Sequence, residues 1–182
     1  MKPVLQIDGV EVACVPGETL LEAARRAGLE KRIPTLCHLA GSVPEGGCRL
    51  CLVEVEGKAR PMAACHSVAE AGQIVRTSSQ RLHELRRGLL QLWVDATPAA
   101  AAEALSGGPD RNKFNNLLDK YNVQPAAGTG TVPPSSDIHP YLRFSADRCL
   151  VCRRCVQVCA DLQGQFVYGI GQRGAASGLL FG

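Results

Sequence analysis

Gly46-Gly47-Cys48-Arg49-Leu50-Cys51-Leu52-Val53-Glu54-Val55 joins two glycines, a C-x2-C pair and an alternating apolar run of strand character. A tight turn inside C-x2-C aims both sulfurs the same way, as metal ligation requires. Cys37 and Cys65 lie on either side, giving the spacing C-x10-C-x2-C-x13-C. The outer thiols must be delivered by the chain returning from both directions. Gly46 and Gly47 allow positive φ and close backbone approach, so that amide N–H groups can point at sulfur and tune a potential. Zn2+ also accepts four thiolates, but structural zinc sites more often pair two short knuckles, and this group has one. The spacing therefore favours a [2Fe–2S] cluster on Cys37, Cys48, Cys51 and Cys65.

The sequence before and after this stretch is that of a small mixed sheet crossed by one helix, an α+β arrangement. Val4–Ile7 and Val10–Val15 flank Asp8-Gly9, a signal for a type I′ hairpin. Thr19 is placed to cap a helix with Leu20, Leu21, Ala24 and Ala27 on one face, stopping at Gly28. Residues 52–56 and 59–62 suggest a second strand pair, and Gln73–Arg76 an edge strand. Leu82, Leu85, Leu89, Leu92 and Trp93 predict a helix over 80–94, with Arg81, Arg86 and Arg87 on its wet face. Two further helices are expected, over 99–105 and over 112–121 with Phe114, Leu117 and Leu118 on one face. Residues 125–136 carry three prolines and are expected to be an irregular linker. Residues 165–170 read as a strand, and the glycine-rich 171–182 as no element. The expected organisation is a domain over 1–78, a helical spacer and docking surface over 79–124, a linker over 125–138 and a second cysteine segment over 139–182.

That segment holds Cys149, Cys152, Cys155 and Cys159 as C-x2-C-x2-C-x3-C, the run that carries [4Fe–4S] clusters in bacterial-type ferredoxins. Cys159 either closes the same cluster or serves a neighbouring one, since Ala160 stands where proline usually follows and the glycine-rich end reads as a cut. Cys14, the ninth cysteine of the 182 residues, has no partner at metal spacing and reads as a buried structural thiol. His38 and His66, each following a ligand cysteine, read as loop residues, as does His139; His83 reads as a helix-surface residue. Arg49, Arg153 and Arg154 beside the ligands are either counter-charges or solvated. A net charge of +3 gives no nucleic-acid footprint, and no apolar run is long enough to span a bilayer. With no signal-peptide pattern at the start, a cytoplasmic, thiol-reducing compartment is expected.

Ile33–Cys37, Gly47–Val55 and Ala63–Cys65 resemble the [2Fe–2S] domain that opens the large iron–sulfur subunit of complex I and its relatives in NAD-linked hydrogenases and formate dehydrogenases. The resemblance implies a ubiquitin-like, plant-ferredoxin-type fold for residues 1–78. His139–Phe144, Asp147–Val156 and Asp161–Phe166 resemble the start of the two-cluster segment in the α subunit of cytosolic NAD-dependent formate dehydrogenases, which implies a bacterial-ferredoxin-like fold there. That family places a third cluster on one His and three Cys between these regions; here no cysteine lies between residues 66 and 148, so it cannot form in the same way. The resemblance implies an electron-transfer component partnered by an FMN/NAD flavoprotein subunit and a Mo/W catalytic subunit, with no substrate site or catalytic residue in this chain. The small iron–sulfur subunit of an NAD-reducing hydrogenase is the alternative, and a zinc-stabilised interaction module a more distant one.

Overall fold

In the computed structural model, which describes residues 3–96, 109–124, 141, 144, 146 and 149–181, Asp8 and Gly9 both take positive φ (48° and 80°). This closes the hairpin of β1 (Val4–Ile7) and β2 (Val10–Ala13) in the expected I′ manner. Alternation along β1 buries Leu5 and Ile7 and leaves Val4 and Gln6 outside. Helix α1 (Leu20–Arg26) starts at a capping box. The Thr19 hydroxyl accepts the Glu22 N–H at 3.2 Å, and the Glu22 carboxylate accepts the Thr19 N–H at 2.7 Å. Leu20, Leu21, Ala23 and Ala24 face the sheet core with Leu5, Ile7, Val12, Val53, Val55 and Val75. Burying a leucine or isoleucine of this kind contributes about 1.5–3 kcal/mol.

The sheet is mixed, in the order β2-β1-β5-β3-β4, with β3 Leu52–Val55, β4 Met62–Ala63 and β5 Ile74–Arg76. β5 is therefore not an edge strand as expected, but runs between parallel β1 (Ile7 beside Val75) and antiparallel β3 (Val55 beside Val75). Its short length and single buried residue gave it an edge-like pattern; long-range pairing on both sides puts it in the interior. β4 is shorter than the expected pairing segment because Pro61, just before it, has no N–H to give a ladder. Asp8 ties the end of β5 to the hairpin: its carboxylate accepts the Thr77 N–H at 2.7 Å and the Thr77 hydroxyl at 2.6 Å. Burial opposes ionisation of Asp8, but these bonds and Arg32 outweigh it and hold the carboxyl below its ordinary value. Cys14 lies just past β2, half-buried against the core rather than fully enclosed.

Helix α2 (Gln80–Ala96) spans the expected segment, but with a different face inward. Leu82, Arg86, Leu90 and Val94 are buried, while Leu85 and Leu92 are exposed. Arg86 is thus not on the wet face; it occupies an inward position in an i, i+4 ladder because backbone carbonyls satisfy its guanidinium. The chain divides into two compact units, one of residues 1–38 and 44–86, the other of 39–43 and 87–182.

In the second unit, α3 (Pro109–Lys120) buries Phe114, Leu117 and Leu118 as the spacing predicts. A short helix α4 (Arg154–Gln157) runs into a π-helical turn, Val158–Leu162. The strand expected at residue 165 begins only at Tyr168, since Phe166 takes φ 52°. The expectation of no element after residue 171 fails. β7 (Gly178–Phe181) pairs antiparallel with β6 (Tyr168–Gly171), and Phe181 packs edge-on against Tyr168 and Phe144 with ring centroids 5.5 and 5.1 Å away. Glycine composition hid this strand; a Cβ on Gly171 would lie 2.8 Å from the Leu180 side chain. The helix expected over 99–105, the linker over 125–136 and His139 lie outside the described residues.

Candidate metal centre

The first unit delivers four thiols from a buried segment, a tight loop and the β4 side of the sheet. Ile33–His38 is buried throughout and brings Cys37 in. Gly46, at φ 63°, then lets the chain double back so closely that a Cβ there would sit 2.5 Å from Nε2 of His66. Gly47 has no such constraint. Arg49 takes the left-handed conformation (φ 56°) between Cys48 and Cys51, which bends the C-x2-C loop around its sulfurs. β3 and β4 complete the arrangement: Leu52 lies opposite Ala63, and the Ala64 N–H donates to the Cys51 carbonyl at 3.1 Å, which holds Cys51 beside Cys65. All four cysteines are between 1% and 3% exposed, so water is excluded from the sulfurs.

The sulfurs meet two by two. Cys51 Sγ and Cys65 Sγ share a hydrogen bond at 3.4 Å. The Cys48 N–H donates to Cys37 Sγ at 3.5 Å, and the two side chains are hydrogen-bonded as well. Each bond splits the acidities of its pair. The bond to Cys37 pulls Cys48 down to about 6 against the opposing effect of burial, and Cys37 goes up. The bond to Cys65 likewise lowers Cys51 and raises Cys65. The Leu50 and Leu36 N–H groups also stabilise the Cys48 thiolate, and the Gly47 N–H reaches Cys37. Among the described residues, no three His, Cys, Asp or Glu side chains converge as a single ion would need. Two separated pairs are instead the terminal donor set of a two-iron centre, one pair to each iron. The donor set fits the group the spacing predicts.

Residues 4–80 match the 2Fe-2S iron-sulfur cluster binding domain family. Beyond that domain, the chain is 29% identical over 182 residues to the mitochondrial NADH-ubiquinone oxidoreductase 78 kDa subunit of Neurospora crassa, covering 93% of this chain and 23% of that protein. It is 31% identical over 181 residues to the NADPH-Fe(3+) oxidoreductase subunit alpha of Geobacter sulfurreducens, covering 95% of this chain and 20% of that protein. Among solved structures, an NAD+-reducing [NiFe]-hydrogenase in the H2-reduced state contains a chain 29% identical, with a TM-score of 0.83 over all of this chain and 75% of that one. The chain thus spans only 20% to 23% of the length of these two curated relatives. Its first unit is a [2Fe–2S] ferredoxin-type domain, and its homologues are NADH-linked oxidoreductase subunits.

The second cysteine set is built differently. Cys149 and Cys152 are half-buried, Cys155 exposed and Cys159 buried. Val151 and Arg153 both take left-handed φ (51° and 65°), so the chain turns sharply after each of the first two ligand positions. The Val151 N–H reaches Cys149 Sγ at 3.4 Å, and the Val167 N–H reaches Cys159 Sγ at 3.3 Å. Burial pushes the Cys149 and Cys155 thiols up; Cys149 feels the charges of Cys155 and Cys152, and Cys155 those of Cys152 and Cys159. The four sulfurs are one electrostatic group with N–H donors at both ends.

Of the other polar residues beside these sets, Arg49 and Arg153 are exposed, and His38 is buried while His66 and His83 are exposed. Arg86 is the residue that sequence reasoning missed, and the Leu82–Leu90–Val94 ladder passing through it was the available signal.

Proposed function

We propose that this chain is an iron–sulfur electron-transfer segment of a multi-subunit NAD-linked oxidoreductase. The observation that carries it is the two-by-two pairing of buried Cys37/Cys48 and Cys51/Cys65 inside the matched domain. These four residues are the [2Fe–2S] ligands. Cys149, Cys152 and Cys155 hold a [4Fe–4S] cluster, and the coupling of Cys155 to Cys159 supports Cys159 as its fourth ligand. When bound, each cluster would supply thiolate-held iron able to take up and give back one electron at a time. The chain's own residues anchor the sulfurs, aim N–H groups at them and keep water out. No residue here is assigned to substrate chemistry.

The surrounding assembly is proposed to be a formate dehydrogenase with an FMN/NAD flavoprotein subunit and a Mo/W catalytic subunit in the cytoplasm, a reading supported by the likeness of Asp147–Val156 and Gln163–Phe166 to that family. The NAD-reducing hydrogenase reading is supported by the solved structure that matches along the whole chain. The complex captured through this chain separates them: formate-dependent reduction of NAD+ is expected, and H2-dependent reduction without it moves the assignment to hydrogenase. The electron-transfer reading itself is tested by anaerobic purification. A brown protein with about six iron atoms and two EPR signals on reduction is expected. Cys48→Ser should remove one signal and Cys152→Ser the other. A colourless protein holding zinc, or both signals surviving either change, overturns the reading.

A further inference from the structure

Arg86 is a charged side chain, 3% exposed, in the wall behind the first cysteine set. Its Nε donates to the Leu50 carbonyl at 3.0 Å, one Nη to the Leu52 carbonyl at 2.5 Å and the other to the Thr77 carbonyl at 3.0 Å. Leu50 and Leu52 flank Cys51, so the guanidinium grips the peptide units on both sides of one ligand. The Leu50 carbonyl shares its peptide with the Cys51 N–H, which itself stabilises the Cys51 thiolate. Drawing electrons from that carbonyl makes the N–H a stronger donor to sulfur, because linked hydrogen bonds polarise one another. The guanidinium stays charged at any accessible pH, and its partners here are neutral carbonyls rather than a carboxylate. Its charge therefore acts on what lies beyond the peptides it grips. A neighbouring Arg81 shows the contrast: exposed, it reaches only the Ala59 carbonyl, at 3.3 and 3.4 Å.

We propose that Arg86 is a positioning residue for the [2Fe–2S] centre and its built-in counter-charge, clamping the Cys51 loop and raising the reduction potential. The inference rests on the ligand reading above. A fixed buried cation favours the more negative, reduced state, and bulk ions screen it poorly.

The test is a redox titration of the reduced [2Fe–2S] EPR signal in the full chain, with iron content and thermal stability measured alongside. Arg86→Gln is expected to lower the midpoint potential, by the same amount at low and high salt, whereas Arg81→Gln leaves it near wild type. Arg86→His serves as a second variant whose charge can be switched. Its potential should be high at acid pH and fall towards that of the Gln variant at alkaline pH, relative to wild type at each pH. An unchanged potential in a loaded Arg86→Gln protein overturns the proposal, as does a shift that vanishes in salt. If Arg86→Gln fails to load, an Arg86→His potential that tracks wild type at every pH overturns it. If neither variant loads a cluster, the residue serves folding alone and the proposal falls. A wild-type protein without the [2Fe–2S] signal sinks the underlying ligand reading instead, which keeps the two failures apart.

Discussion

The two cysteine sets solve one problem with different resources. The first is enclosed by a five-stranded sheet and a capped helix, its thiols 1–3% exposed and already paired sulfur to sulfur. The second sits on one turn of helix, a π-helical turn and two left-handed residues, with Cys155 open to solvent. A core that extends all round a site fixes its geometry before any ligand arrives. A site on short, strained backbone depends on what it binds to hold that strain, since each left-handed β-branched residue such as Val151 costs of order 1 kcal/mol or more. The first set is thus a preformed socket and the second a wrap.

The widest gap between the two is expected from Gly46→Val. A side chain there meets His66 and must adopt positive φ, which should abolish the [2Fe–2S] signal while sparing the second centre in EPR. Adding His66→Ala to Gly46→Ala should relieve the clash but leave about 1 kcal/mol of backbone strain in urea unfolding. Alkylation of the iron-free protein compares the sets directly. Cys155 should react roughly tenfold or more faster than Cys48 by mass spectrometry, exposure outweighing the lowered acidity of the buried thiol; equal rates would erase the distinction. Asp8→Ala should destabilise the first unit by about 2 kcal/mol. Because the folded Asp8 carboxyl lies below its ordinary 3.8, its contribution is present above that value and lost as pH falls through the folded one. The variant should therefore show a shallower loss of urea resistance between about pH 5 and pH 2. Smallest is Thr19→Ala, which removes the cap of α1 and should cost about 1 kcal/mol with both EPR signals unchanged.

What could be read from residues alone follows the range of the interactions. The Asp8-Gly9 turn, the Thr19 cap and the α3 face depend on neighbours a few positions away, and they fold as their local chemistry dictates. Ligand spacing is legible for the same reason: C-x2-C is a local device. β5 was misplaced because its interior position comes from partners far along the chain, on which its own three residues carry no information. Gly178–Phe181 was missed because its strand character comes from Phe181 stacking on Tyr168 and Phe144 rather than from composition. Arg86 was assigned to water because charge is ordinarily solvated, whereas three carbonyls exposed by the turn at Cys51 and the end of β5 supply the solvation here.

The parallel register that sets Gln6 beside Ile74 has a consequence for biosynthesis. Strand β5 is the last of its sheet to leave the ribosome, and β1 the first. Until β5 arrives, every thiol from Cys37 to Cys65 is on a nascent chain whose barrel of contacts is still open. Assembly machinery that loads iron during translation has that interval to work in, and closure of β5 between its neighbours ends it.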